Sequence, residues 1–258
     1  MALVLAGTAP ASAQVRFEAQ YTLSMAGLAI GKLTWQTRFG TSDYTTLAQG
    51  RVAGFLSLLV SGEGTVSVTG QIKDGRPQPM SFAAMVVRED EKVSVQIGFD
   101  GSRVRDLRVD EPPLEDDRVP ITEAHKFGVI DPLSAFLIPG ASDPTAREGC
   151  ERTIAMFDGR RRYDLALAFK RTDIIKGEGG SGRMALVCSI KFTPISGHRA
   201  SSQFVKFLAE GRDIEVWFVP VTGTRILAPV RLSVASLIGN MVLQANAFET
   251  TALAAPAR

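Results

Sequence analysis

Val15-Arg16-Phe17-Glu18-Ala19-Gln20-Tyr21-Thr22-Leu23-Ser24-Met25 puts an apolar side chain at every odd position and a polar one at every even position between them. Successive side chains of a β-strand point to opposite faces, so a period of two marks a strand with one dry and one wet face. The pattern pauses over Ala26–Lys32. It resumes with Leu33, Trp35, Thr37 and Phe39 facing one way and Thr34, Gln36 and Arg38 the other, so Val15–Phe39 reads as a long hairpin. The same alternation returns at Thr65–Thr69, Val93–Phe99, Tyr163–Phe169, Leu186–Phe192, Val230–Val234 and Met241–Phe248, and at least ten strand-like runs can be counted. One-sided alternation belongs to antiparallel sheet, because parallel α/β sheets are covered on both faces and read as continuous apolar runs.

So many amphipathic strands must hide their apolar face, by curling around a core or by pairing as two sheets. The expected fold is mostly β: a strongly curled antiparallel sheet, barrel-like or an open barrel, with one or two short helices. Asp131-Pro132 places a capping carboxylate before a proline at the first helical position; Leu133, Ala135, Phe136 and Leu137 follow, and Pro139-Gly140 stops the helix. Ser201–Glu210, ending at Gly211, reads either as a second helix or as an edge strand. Near 110–118, five carboxylates and two prolines form an exposed connection between two strand-rich halves.

The chain therefore divides into residues 1–13, a single β-rich domain over 14–250, and a disordered tail over 251–258. Ala11-Ser12-Ala13 before Gln14 has the small-x-small form of a signal-peptidase site, and the short apolar stretch before it reads as a residual secretory signal peptide lacking its charged start. Export implies an oxidising compartment, where Cys150 and Cys188 form a disulfide. In extended segments Cys150 shares a face with Ile154 and Met156, and Cys188 with Leu186, Ile190 and Phe192, so both reach one apolar layer.

Composition excludes several function classes. With 258 residues, 45% of them hydrophobic, the chain can bury a full core without metal or cofactor. Lys+Arg 29 against Asp+Glu 27 leaves too little positive charge for a nucleic-acid footprint, and no stretch approaches the roughly 18 apolar residues of a membrane-spanning helix. The two histidines, His125 and His198, lack the short-spaced partners of a metal site, and no Gly-x-Ser-x-Gly elbow occurs, so no catalytic and no metal-binding residue is assigned. Lys176–Arg183 reads as a hairpin loop, because the Gly-Lys-Ser/Thr ending of a phosphate loop is missing. Arg160-Arg161-Arg162 reads as a solvated hairpin face, with contact to anionic headgroups as the alternative. Phe99–Leu107 and Phe157–Leu165 match at six of nine positions around Phe-Asp-Gly, which places Gly101 and Gly159 at positive φ in tight turns.

Val52–Val60 is apolar on every side and bounded by Arg51 and Ser61-Gly62. Such a run is either buried on both faces or presents one face to an apolar cavity; in the second case Phe55, Leu56 and Leu59 line the wall or mouth, and Trp35 lies deeper.

Asp131-Pro132-Leu133-Ser134-Ala135-Phe136, Cys150, Phe157-Asp158-Gly159-Arg160-Arg161-Arg162-Tyr163-Asp164-Leu165, Cys188 and Pro194 together resemble the domain of unknown function 3108 family, with similarity from about Phe17 to Phe248. The resemblance implies an exported, periplasmic protein of the Gram-negative envelope with a β-rich fold. It supplies neither an activity nor catalytic residues. Curled sheets with apolar interiors serve as lipid carriers in that setting, so the leading expectation is a non-catalytic envelope protein that binds a lipid or lipoprotein acyl chain. The alternative is a structural or interaction protein with a filled core and an envelope protein partner. An enzyme acting on envelope glycan or lipid is the third reading.

Overall fold

The computed structural model describes residues 14–54, 62–88, 91–110, 117–141, 143, 146–176, 182–211 and 213–253. The first half is a meander: β1 (Gln14–Met25), β2 (Leu28–Phe39), β3 (Asp43–Val52), β4 (Glu63–Lys73), β5 (Arg76–Arg88), β6 (Glu91–Asp100) and β7 (Arg103–Asp110). Helix α1 (Pro132–Ala135) and the two-residue β8 (Ile138–Pro139) follow. Next come β9 (Arg152–Phe157), β10 (Arg162–Lys176), β11 (Gly182–Ser196), helix α2 (Gln203–Ala209), β12 (Ile214–Pro220), β13 (Ile226–Val234) and β14 (Met241–Leu253). All lie in one antiparallel sheet that does not close, ordered β7-β6-β5-β4-β3-β2-β1-β14-β13-β12-β11-β10-β9, with β8 paired to β13.

Chain reversals follow local chemistry. Ala26-Gly27 and Asp74-Gly75 are two-residue loops with positive φ at both positions, the turn whose twist matches that of the flanking strands. The first connection is thus two residues long rather than the whole of Ala26–Lys32, and β2 begins at Leu28. At the other terminus Thr251, Ala252 and Leu253 pair with Arg16, Val15 and Gln14, so the strand extends three residues into the segment read as tail. This β1–β14 pairing joins the two halves of the sheet.

The halves differ in what covers them. On β1–β6 the inward face is dry and the outward face wet, as alternation requires: Phe17, Trp35, Tyr44, Val68, Phe82 and Ile97 are buried between exposed or half-buried neighbours. One-sided burial fails for the second half. Ala185–Cys188, Val216–Val219 and Ile226–Val230 are buried at every residue. Ala185, Val187, Trp217, Val219 and Ala228 face the interior, while Leu186, Cys188, Val216, Phe218 and Leu227 build a second core on the outer face with Ile138, Cys150 and Leu208. The two-residue β8, the helical turn Arg147–Gly149 and α2 cover that face. Ser201–Glu210 resolves as a helix because Ser202 caps it, accepting a bond from the Val205 amide.

Cys150 and Cys188 are bonded, with Cα atoms 5.5 Å apart. Cys150 sits at the end of a single helical turn, Arg147–Gly149, rather than in an extended segment, and the bridge ties this turn onto β11.

The sheet's two edges are bridged by the strand-like stretch before α1. The Val129 amide donates to the Ser102 carbonyl in the β6–β7 turn, while Ile130 pairs in parallel with β9 through Ile130 N–H to Ala155 and Phe157 N–H to Ile130. The β9–β10 turn docks beside it. Gly101 and Gly159 have φ of 59° and 92°, but their turns differ. Gly101-Ser102 is a two-residue loop open to solvent. Asp158–Arg161 is a four-residue loop in which Asp158 Oδ1 accepts the Arg160 and Arg161 amides, and a Cβ on Gly159 would stand 2.3 Å from Val95 Cγ1.

Two outcomes follow from this closure. Gly159→Ala should destabilise by at least about 1 kcal/mol more than Gly101→Ala in urea denaturation, because both strain φ but only the first collides with buried Val95. Replacing both cysteines by alanine releases a 38-residue crosslink and should cost about 4 kcal/mol in the loop-entropy account, read as a lowered denaturation midpoint.

Candidate functional site

Inward-facing side chains taper along the first-half strands. Reading β2 backwards from its end gives Phe39, Thr37, Trp35, Leu33 and Gly31; reading β3 forwards gives Tyr44, Thr46, Ala48, Gly50 and Val52. These rows lie side by side in register, Phe39 opposite Tyr44 and Gly31 opposite Val52. One end of the curled interior is therefore lined by large rings and the other by glycine and small aliphatics. At about 3.3 Å per residue Tyr44 and Val52 stand roughly 26 Å apart along β3.

The large end is closed by α1, which packs against β4, β5 and β9. Asp131, fully buried, caps the helix by accepting the Leu133 and Ser134 amides on Oδ1, while Ser134 shares a hydrogen bond of 2.5 Å with the buried Tyr44 hydroxyl. Burial pushes the Asp131 carboxyl up from 3.8 to about 6, although the Ser134 hydroxyl and the two amides pull it down; its Oδ2 has no partner. Burial, with the Asp131 charge, also raises the Tyr44 phenol far above its ordinary range. This buried polar network fixes the plug.

The small end holds a concavity of about 600 Å³, a size typical of small-ligand sites. Leu23, Leu33, Val52, Val66, Val86 and Leu243 supply its apolar walls. Gly31, Gly50 and Gly64 keep it hollow. A Cβ on Gly50 would lie 3.7 Å from Leu33 and one on Gly64 3.6 Å from Val86, ordinary contact distances, so the space there is real and a larger residue would occupy it. Arg88, in phase with inward Val86, also borders the concavity, whereas Lys32, Arg51 and Glu63, which touch its rim, fall on the outward positions of their strands.

The structure places the sequence candidates unevenly. Phe55, Leu56 and Leu59 lie outside the described residues; the segment that carries them joins β3 to β4 between Val52 and Glu63, both of which line the concavity. Trp35 is not part of its wall. The indole is buried in the core between Ala19 and Ala48, whose small side chains make room for it, and its Nε1 donates to Thr37. Sequence reading missed the glycine stripe, although Gly31, Gly50 and Gly64 fall in phase with the inward residues of their strands. His125 accepts the Thr122 amide in a surface turn. Among the described residues no three His, Cys, Asp or Glu side chains gather as a metal-binding group, and no helix is long and apolar enough to cross a membrane.

Asp131 generates a pH signature. Its folded value near 6 exceeds the ordinary 3.8, so the carboxyl favours the folded state below about pH 4, and that advantage is lost as pH rises through 6. Between pH 4 and 7 the wild type should lose of the order of 3 kcal/mol relative to Asp131→Asn, which keeps the cap but does not titrate. Parallel urea titrations of the two proteins at both pH values check this.

Comparisons with known proteins bear on the chain as a whole. The model of the family described as "Protein of unknown function (DUF3108)" matches residues 20–245. No curated protein matches the chain. A crystal structure from Brucella abortus, described as a beta-barrel-like protein of domain of unknown function DUF1849, is similar over 93% of this chain and 98% of its own, with 11% sequence identity and a TM-score of 0.49.

Proposed function

The chain belongs to the DUF3108 family, and we propose that it is a non-catalytic periplasmic protein of the cell envelope that holds the acyl chain of a lipid or lipoprotein in the glycine-lined end of its curled sheet. The observation that carries this reading is the concavity itself: about 600 Å³ bounded by Leu23, Leu33, Val52, Val66, Val86 and Leu243, with glycines where a filled barrel would have side chains. Apolar surface left open at this scale is unfavourable unless something covers it, at roughly 25 cal/mol per Å². Arg88, in phase with inward Val86 at the same site, suits an anionic headgroup or carboxylate. The bonded cysteines support an oxidising compartment, and therefore the periplasmic setting.

The plug favours a second reading. Because α1 fills the opposite end of the interior, the protein could act through its surface, as a structural or interaction factor with an envelope partner. Strand addition at the β7 edge is a poor route for that, since Arg103, Arg105, Asp106, Arg108 and Asp110 crowd it with charge.

A cavity-filling variant separates the two. Gly50→Val combined with Gly64→Val adds β-branched residues at strand positions with ordinary φ and room for a Cβ, so the melting temperature should hold or rise. An environment-sensitive fatty-acid probe should lose about tenfold or more in affinity. A probe that binds the filled variant as tightly as the wild type removes the acyl-chain reading and leaves the interaction protein in front.

A further inference from the structure

We propose a second binding site, for a phosphate monoester that carries an apolar body, in the hollow of about 440 Å³ between α2 and the adjoining ends of β10 and β11. Arg118, Arg161, Arg162 and Arg199 line it; among the described residues Asp158 is the carboxylate in the lining, and Asp164 and Asp117 pair with Arg162 and Arg199 just outside it. The Asp158 carboxylate is already engaged, through Oδ1 with the turn amides of Arg160 and Arg161 and through Oδ2 with Arg161 at 3.6 Å.

The guanidiniums are held in place rather than loose. Arg162 pairs with Asp164 at 2.7 Å, Arg199 with Asp117 at 3.4 Å, and Arg118 donates to the Gly197 carbonyl at 3.1 Å. Residues 117–119 run antiparallel to 197–200, with Gly197 N–H to Val119, Val119 N–H to His198 and Ala200 N–H to Asp117, which brings Arg118 opposite Arg199. Gly197, at φ 77°, lies so close to the β9–β10 turn that a Cβ would overlap the Arg160 carbonyl; only glycine permits the two loops to meet. The site is thus organised before any ligand arrives.

An independent observation points to the ligand. Ser196 lines the hollow, is completely buried, and its hydroxyl has no hydrogen-bond partner; His198 Nδ1 beside it is likewise buried and unpartnered. A buried polar group without a partner costs about 1–3 kcal/mol, which an arriving acceptor with several oxygens would relieve. Guanidinium forks match phosphate geometry, and the number of donors here exceeds what a two-oxygen carboxylate can use. Tyr163 and Phe192, in ring contact at 5.5 Å, together with Phe204 and Leu208, form an apolar wall that suits the ester's body.

The test uses the whole protein and its two histidines. In ring-proton NMR, phenyl phosphate should shift the His198 signal saturably and leave that of His125 in place, with the signals assigned by His125→Gln. Inorganic phosphate should bind about tenfold more weakly, lacking the apolar body, and Ser196→Ala and Arg161→Gln should each weaken phenyl phosphate about fivefold or more. Arg161 lies on an exposed turn, so its variant keeps the fold, which circular dichroism verifies. Co-sedimentation with phosphatidylcholine vesicles containing phosphatidic acid, abolished by Arg161→Gln, assigns the ester to a lipid headgroup; phenyl phosphate binding without co-sedimentation assigns it to a soluble ester. A His198 signal that does not saturate, that moves together with His125, or that responds equally in both variants overturns the proposal.

Discussion

An open sheet of this length can keep its inner face dry only by wrapping around something, and here it wraps around the stretch from Val129 to Leu137. Val129 and Ile130 bridge the β6–β7 turn and β9, where the sheet's own edges do not pair. Directly afterwards Asp131 turns the chain into the interior, and Leu133 and Leu137 enter the main core. Burying a carboxylate there is costly, and it is tolerated because its Oδ1 and the Ser134 hydroxyl replace hydration with helix amides and the Tyr44 phenol. The same few residues bridge the sheet's edges and fill its plugged end.

That plug also decides where a ligand can go. Every large inward ring of β2 and β3 lies toward the plugged end or the middle, where these side chains are buried against one another. Toward the other end the strands continue beyond the reach of α1, and their inward positions fall to glycine. Strand length and plug length are mismatched, and the hollow is the difference.

The strands were legible where inward residues are large. Val15–Met25 announces itself because Val, Phe, Ala, Tyr, Leu and Met occupy the inward row. The start of β2 did not, since Gly31 interrupts the row and Leu28 to Lys32 lose their period; the substitution that hollows the cavity also silences the alternation. For the second half the signal was present in a different form. Ala185-Leu186-Val187-Cys188 and Val216-Trp217-Phe218-Val219 are continuous apolar runs, the mark of strands covered on both faces, even in an antiparallel sheet. Turn chemistry was legible at Gly101 and Gly159 as positive φ, but not that one turn is free and the other wedged against Val95, because that contact joins residues 64 positions apart in sequence.

Neither candidate site was readable as a motif. Trp35 drew attention as the large aromatic of its strand, yet its cross-strand neighbours Ala19 and Ala48 are small for the reason that the indole fills their space. In a curled sheet a bulky residue beside small ones marks packing, whereas Gly50 directly opposite Gly64, with Gly31 diagonal to Gly50 on the next strand, marks a void. The arginine-lined hollow follows the same logic of juxtaposition: Arg118, Arg161 and Arg199 come from three separate segments, and a glycine at 197 lets them meet. Both sites depend on positions where a side chain is missing, and a reading keyed to chemically conspicuous residues passes over these.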